Sequence, residues 1–307
     1  MNVIPNAVPK WQHAILWTTL LVYLLARVSQ LYADRLPTLL IVVLHVVPPA
    51  VFAIVHGSIL YRLRGMLAFV SFCLGVGALF ESLSLRSGFP FGHYYFTTVM
   101  GPKLFQIPIL LVLAYLGIGY CSCVLSVLIS GSRSKPLAGP RLFLVPALAS
   151  VIMLAWDLSM EADWSTVDRA WIWRDGGAFF GVPVSNFFGW YFTTYVFYVA
   201  FAFYCKACPV LSCPSSRSYW RAPIVLYGIC ALGNLLIIRL PMAPPTVTDA
   251  AGRHWTTSNI LTTCALISLL VMVPMAVLAW HRLEVQAADM GADNSCSISG
   301  RAAMRLV

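Results

Sequence analysis

The stretch LFLVPALASVIMLAWDLSMEADW, residues Leu142–Trp164, joins two segments of opposite character. Its first fifteen residues carry no charge, and its last eight contain Asp157, Glu161 and Asp163, three of the chain's eleven acidic residues. A helix of about 20 apolar residues crosses the hydrocarbon core of a bilayer. The stretch therefore predicts a membrane-spanning helix that ends among carboxyl groups.

Composition extends this prediction to the whole chain. Of the 307 residues, 60% are hydrophobic and 10% are charged, and the mean hydropathy is +0.81. Soluble domains carry about a quarter of their residues as charges. We therefore expect an all-α, polytopic membrane bundle of about eight transmembrane helices within one domain, residues 1–284, followed by a polar, disordered tail, residues 285–307. The predicted spans are 13–32, 37–60, 65–85, 104–130, 140–159, 184–205, 221–240 and 257–280.

Positive charge is spread along the chain. The net charge is +9, but the basic residues stand at the ends of apolar runs, which argues against nucleic acid as a partner and for membrane lipids. The N-terminus, the even-numbered connections and the C-terminus carry twelve Lys and Arg residues, and the other side carries seven. Because cytoplasmic loops are enriched in these residues, we predict both termini in the cytoplasm.

Two loops rich in aromatic and polar residues fall on the same, non-cytoplasmic side. Phe80–Pro102 connects the third and fourth predicted spans, and Trp156–Trp190 connects the fifth and sixth. We therefore expect the two loops to meet at one membrane face.

Three acids in these loops are the candidate catalytic residues. Asp157 follows an uncharged run, where an ionised side chain is expensive and indicates function. Glu161 lies one helical turn further on, on the same face. Asp157 is the first candidate for a proton donor and Glu81 the second. The alternatives are structural: Asp157 could cap a helix or pair with an arginine, and Glu81 could pair with Arg86.

Aromatic side chains crowd the same loops. They are typical of an interfacial belt or of a pocket whose ring faces stabilise a carbocation. Asn186 is an uncharged group suited to orienting water, whereas a histidine here is commonly structural. The candidate substrate-binding residues are Phe91, His93, Tyr94, Tyr95, Trp156, Trp171, Trp173, Asn186 and Trp190.

Cofactor and metal motifs are missing from the sequence. It contains no H-E-x-x-H, aspartate-rich, phosphate-loop or dinucleotide-binding pattern. Cys205, Cys208 and Cys213 have metal-like spacing, but no nearby histidine completes a zinc site. We therefore predict no metal and no cofactor. An intramembrane acid with aromatic walls suits protonation of an isoprenoid double bond, followed by hydration or cyclisation; proton-coupled transport or lipid binding is the alternative without chemistry.

Phe89–Tyr115 and the motifs of Trp156–Trp190 resemble the bacterial and archaeal membrane family of carotenoid biosynthesis. This family includes carotenoid 1′,2′-hydratases and bisanhydrobacterioruberin hydratase. The resemblance covers residues 81–190, where F-G-x-Y, G-P-x-L, D-L, W-x-W, G-x-P-x-x-N-F and G-W occur in that order. The matching residues are Glu81, Phe91, Gly92, Tyr94, Pro102, Asp157, Trp171, Trp173, Pro183, Asn186, Gly189 and Trp190.

The resemblance implies a hydro-lyase in the plasma membrane of a prokaryote. Such an enzyme adds water to the ψ end of an apolar polyene and leaves a tertiary alcohol. The chain departs from the family pattern at Glu161 and Ala162, where that pattern has Asp-Pro. The acid is kept and lengthened by one methylene group, so a cyclase that acts on a prenylated lipid stays open as a second function.

Overall fold

The computed structural model describes residues 9–133, 137–208, 210–212, 214, 216–239 and 244–303, and most of them are helical. The helices are α1 (Lys10–Ser29), α2 (Thr38–Leu60), α3 (Arg62–Ser87), α4 (Ile109–Ile129), α5 (Arg141–Leu158), α6 (Val184–Ala207), α7 (Arg217–Leu236), α8 (Thr257–Ile267) and α9 (Val273–Ala303). The short strands are β1 (Tyr94–Phe96), β2 (Lys103–Leu104), β3 (Ile107–Pro108), β4 (Trp171–Trp173), β5 (Thr246–Thr248) and β6 (His254–Thr256).

Each predicted span is a helix in the structure, which confirms the all-α membrane bundle. In the part of the chain that the structure describes, six helical segments are both long and apolar enough to cross a bilayer: Lys10–Tyr32, Thr38–Leu60, Arg62–Ser87, Ile109–Ile129, Arg141–Val167 and Thr257–Ala288. The remaining two predicted spans are α6 and α7. Helix α6 packs against α3 and α5, and α7 packs against α1, α4 and α9. Both helices are therefore integral parts of the same bundle.

Prolines mark where several helices begin. Pro37, Pro140 and Pro183 directly precede α2, α5 and α6, as the sequence predicts. The missing N–H of proline is harmless there because the first turn of a helix leaves its donors unpaired. Pro108 corrects an expectation. The predicted span 104–130 includes Pro108, but α4 begins at Ile109, so Pro108 directly precedes the helix.

Among the residues that the structure describes, two π-helical turns interrupt the regular helices. One, Asp163–Val167, follows α5, and the other, Ser268–Met272, joins α8 to α9. Such turns insert an extra residue and are frequent at functional sites. Helix α9 continues through residues 285–303. Whether residues 285–307 form a disordered tail in solution stays a prediction.

The bundle has two ends, an acid end near Glu81, Asp157 and Glu161 and a basal end opposite to it. At the acid end, β1 pairs with β4, between the end of α3 and the start of α6. At the basal end, the Ser212 amide donates to the Leu60 carbonyl (2.7 Å) and the Gln286 amide donates to the Leu128 carbonyl (3.0 Å). Helix α4 lies at the centre and contacts α2, α3, α5, α7 and α9.

Candidate active site

The two aromatic loops meet at the acid end, as the sequence predicts. Strands β1 and β4 pair antiparallel, with Tyr94 opposite Trp173 and Phe96 opposite Trp171. Successive side chains of a strand point to opposite faces. Tyr94 and Phe96 are therefore buried, whereas Tyr95 between them is 45% exposed. The pairing places aromatic side chains from both loops on one inward face.

Glu81 enters this region from α3. It is buried, and its carboxylate accepts hydrogen bonds from the hydroxyls of Tyr94 and Tyr115, the latter at 2.7 Å. Burial, and then the adjacent Glu81 charge, raise the pKa of Tyr94 well above its usual range, so this hydroxyl keeps its proton and donates. Within the described residues Glu81 forms no ion pair, with Arg86 or with any other cation.

Glu161 is held by two tryptophans of β4. The indole N–H groups of Trp171 and Trp173 both donate to its Oε1, at 2.6 and 2.8 Å. Both of these hydrogen bonds end on the same oxygen and leave Oε2 outside the indole pair. Glu161 is 2% exposed, yet it lines a cavity. One oxygen is thus fully engaged while the second is left for a proton or a ligand.

Asp157 lies one turn before Glu161 and is completely buried. Its Oδ2 accepts a hydrogen bond from the Asn186 amide at 3.2 Å. No group in the described residues bonds to its Oδ1. Of the two structural alternatives for Asp157, the pair with an arginine does not occur among the described ion pairs. Asp157 therefore lies behind Asn186, one hydrogen bond away from the cavity wall.

A small cavity brings these groups together. Its volume of about 20 Å³ is enough for one water molecule. The polar lining consists of Glu81, Glu161 and Asn186 together with the Tyr94 hydroxyl. The remaining lining residues are Phe91, Phe96, Leu111, Met160, Trp171, Trp173 and Trp190. Two carboxyl groups and an amide thus surround a single water-sized space with aromatic walls.

Trp190 is the centre of the aromatic wall. Its ring stacks on Tyr115 with the centroids 4.5 Å apart and meets the edge of Trp156 at 5.9 Å. Phe91 approaches it at 6.2 Å. The neighbouring Gly189 makes this possible, because a Cβ there would lie 2.6 Å from the Phe91 ring. Helix α6 can therefore approach the loop after α3 closely.

A second, larger cavity of about 410 Å³ adjoins the first. The two share Leu111, Met160 and Trp171 as lining residues. The large cavity extends between α1, α2, α4, α5, α7 and α8, and Trp156 is part of its wall. Its volume falls within the range of small-molecule sites. A ligand in the large cavity can therefore present one end to the small cavity.

His93 and Tyr95 line neither of these cavities, although the sequence placed them among the substrate-binding candidates. Strand alternation turns Tyr95 outward, where Arg174 lies 5.6 Å from its ring centroid. His93 bonds to Asp175 at 3.0 Å on the exposed surface. The other seven binding candidates contribute to one cavity or the other.

Three features of the site were not found from the sequence. Tyr115 binds Glu81, and Arg27 and Asp163 line the large cavity. As for metals, no cluster of three or more potential ligands occurs within the described residues. Cys205 and Cys208 are free thiols, and Cys213, the third cysteine of the predicted group, lies outside the described residues.

Comparison with known proteins bears on the central part of the chain. The family model described as "carotenoid biosynthesis protein" matches residues 37–249. This range runs from the start of α2 to β5 and includes Glu81, Asp157 and Glu161. Neither the curated proteins nor the solved structures gave a match. The chain belongs to the carotenoid biosynthesis protein family.

Proposed function

We propose that this member of the carotenoid biosynthesis protein family is a hydratase, which adds water across the terminal ψ-end double bond of a carotenoid. The observation that supports this most directly is the small cavity. It has room for one water between two carboxyl groups, and it adjoins a cavity that can hold the end of a polyene. The reaction is that of a hydro-lyase working in the direction of addition.

The polyene end occupies the large cavity and reaches the acids where the two cavities meet. Leu111, Met160 and Trp171 form that junction. Their apolar surfaces exclude bulk water, so the single water in the small cavity is the nucleophile closest to the double bond. This placement meets the requirement that reacting groups lie within hydrogen-bond or one-water reach.

Glu161 is the proton donor in this proposal. The sequence favoured Asp157, but Asp157 lies behind Asn186 whereas Glu161 is part of the cavity wall. Because both indoles donate to Oε1, the proton resides on Oε2. Transfer of this proton forms a C–H bond at the terminal double bond and leaves a tertiary cation. Asp157 and Asn186 hold the helix ends of α5 and α6 in place behind the donor.

Glu81 completes the addition. Its carboxylate stabilises the cation through space, together with the ring of Trp190, which lines the small cavity. The water attacks the tertiary carbon and forms the C–O bond, and its released proton passes to Glu81. Return of that proton to Glu161 through the small cavity restores the starting state. The substrate has then gained one water and the protein is unchanged.

Cyclisation is the second candidate, and the aromatic wall favours it. A cation enclosed by Trp190, Trp173 and Phe91, which line the small cavity, could be captured by another double bond of a prenylated lipid before water reaches it. Protonation would be the same step in both reactions. The two products differ in mass: a cyclised product has the same mass as its substrate, whereas a hydrated product is heavier by one water.

Expression in a lycopene-producing bacterium tests the proposal. We expect new pigments that are heavier than lycopene by one or two molecules of water. A new pigment with the same mass as lycopene would indicate that the protein is a cyclase and not a hydratase. Unchanged lycopene, with the protein present in the membrane, would contradict hydration of this substrate.

We also propose that both termini lie in the cytoplasm of a prokaryotic cell and that the acid end faces the other side. The support is the distribution of Lys and Arg, twelve against seven. A reporter fused after Val307 should be active only in the cytoplasm. Activity on the far side would reverse the orientation without altering the geometry of the site.

A further inference from the structure

Arg27 is a buried cation at the wall of the large cavity. It lies near the end of α1, is 8% exposed, and falls outside the residues that the family model matches. Its Nη2 donates to the Asn234 side chain and to the Cys230 carbonyl, the latter at 3.4 Å. Its Nε has no hydrogen-bond partner within the described residues. A buried donor of this kind is costly unless a ligand completes it.

A network of side chains fixes the position of Arg27. The amide of Asn234 donates to Ser159 at 2.9 Å and to Ser268 at 3.2 Å. Ser268 begins the second π-helical turn. Gly233 provides the space, because a Cβ there would overlap the guanidinium. Three segments of the chain thus hold one arginine against the cavity.

The charges around the cavity limit the ligand chemistry. None of the ion pairs within the described residues involves Arg27. Asp163, which interacts with Arg27 electrostatically, lines the same cavity, as do Asp34 and Asp168. A cavity lined by three acidic side chains disfavours an anionic group such as a phosphate. A neutral hydroxyl suits both neighbours, because it accepts from Arg27 and donates to Asp163.

We propose that the Arg27 end of the large cavity binds the hydroxyl group of an isoprenoid alcohol. The inference rests on the proposed function only for the isoprenoid class of the ligand. The apolar cavity walls hold the hydrocarbon, and Arg27 with Asp163 selects ligands that carry the hydroxyl. Such a site favours an oxygenated polyene over the parent hydrocarbon.

Binding to purified protein tests the site without catalysis. The proteins all carry Glu161→Gln, so neither probe reacts. The probes are lycopene and lycopene hydrated at one end, titrated against quenching of tryptophan fluorescence, since Trp156 and Trp164 line the cavity. We expect the alcohol to bind more tightly. Arg27→Met should weaken binding of the alcohol by roughly 10- to 100-fold, the usual range for a hydrogen bond to a charged group, and leave lycopene nearly unaffected.

A pair of glycine variants provides the matched control. Gly233→Ala keeps the charge but displaces the guanidinium, so the preference for the alcohol should fall. Gly228→Ala, on the same helix with open space around it, should keep the preference. Equal binding of both probes by the parent protein would overturn the site, and so would a preserved preference in a folded Arg27→Met or Gly233→Ala protein. Hydration in the lycopene-producing host is measured separately, so failure of either proposal can be recognised.

Discussion

The two ends of the bundle treat buried polar groups in opposite ways. At the basal end, His56 is fully buried and both of its ring nitrogens are bonded, Nδ1 to the Tyr120 hydroxyl at 2.6 Å and Nε2 to the Tyr219 carbonyl at 3.0 Å. The Tyr219 ring stacks on His56 at 3.8 Å. At the acid end, three carboxyl groups share one region, and Oδ1 of Asp157 has no hydrogen-bond partner within the described residues.

This difference distinguishes a polar cluster that stabilises the fold from one that is suited to catalysis. A closed network of neutral, fully bonded groups rigidifies the core and leaves nothing for a ligand to complete. Carboxyl groups without cationic partners beside a cavity are destabilising, and their clustering indicates a site at which charge develops during a reaction. Substitutions at the two ends should therefore affect different quantities.

The largest effect is expected for Glu161→Gln. The amide oxygen can still accept both indole N–H groups at Oε1, but Oε2 and its proton are gone. Loss of the general acid should reduce the hydration rate by on the order of 10²–10⁴. The measurement is pigment conversion per amount of protein in the membrane.

Glu284→Gln is the matched control for that variant. Glu284 pairs with Arg221 at 2.7 Å, on a different part of the bundle. It should convert substrate at the rate of the unmodified protein. Equal hydration rates for the two variants would show that Glu161 is not the proton donor. The acid end would then not differ from the rest of the bundle in its effect on the rate.

Glu81→Gln is expected to come next. The substitution removes the negative charge that faces the cation and the base that accepts the proton from water. Loss of a preorganised electrostatic group should lower the rate by on the order of 10²–10³. Tyr94 and Tyr115 donate to different oxygens of Glu81, so one hydroxyl must turn to accept from the new amide. A melting temperature measured in detergent shows whether this rearrangement also alters stability.

Asp157→Asn ranks the two candidate donors. Asp157 lines neither cavity, and its bond to Asn186 can be replaced by an amide–amide bond. We expect at most about a tenfold loss of rate, the equivalent of about one ordinary hydrogen bond. A larger loss than for Glu161→Gln, at equal protein level, would return the role of donor to Asp157.

His56→Leu should have the smallest effect on the rate and a clear effect on stability. It leaves the Tyr120 hydroxyl and the Tyr219 carbonyl without a partner, at a cost of about 1–3 kcal/mol. The melting temperature should fall while the activity of each folded molecule stays the same. A specific loss of activity would show that the basal cluster is coupled to the chemistry.

Periodicity and rarity were sufficient to predict much of this architecture. Uncharged runs of spanning length predicted the helices, and an even count of spans between the two loops predicted that they meet. Asp157 and Glu161 stood out because carboxylates are scarce in such a chain. Each of these signals can be found within a short segment of the sequence or by counting spans and charged residues.

Other parts of the site depend on packing that a single sequence does not reveal. Tyr115 and Tyr120 stand five residues apart in the same apolar run, yet one binds Glu81 and the other His56. Nothing in their neighbours distinguishes them, because the rotation of α4 in the bundle decides which partner each one meets. The place of Asp157 behind Asn186 likewise depends on how α5 and α6 pack.

The position of the acids at one end of the bundle has a kinetic consequence for a symmetric substrate. A linear polyene presents only one of its two ends to the water-sized cavity at a time. To react at both ends, the molecule must dissociate, reverse its direction in the bilayer and bind again. If the protein is the proposed hydratase, its action is therefore distributive: the singly modified pigment leaves the protein before the doubly modified one forms.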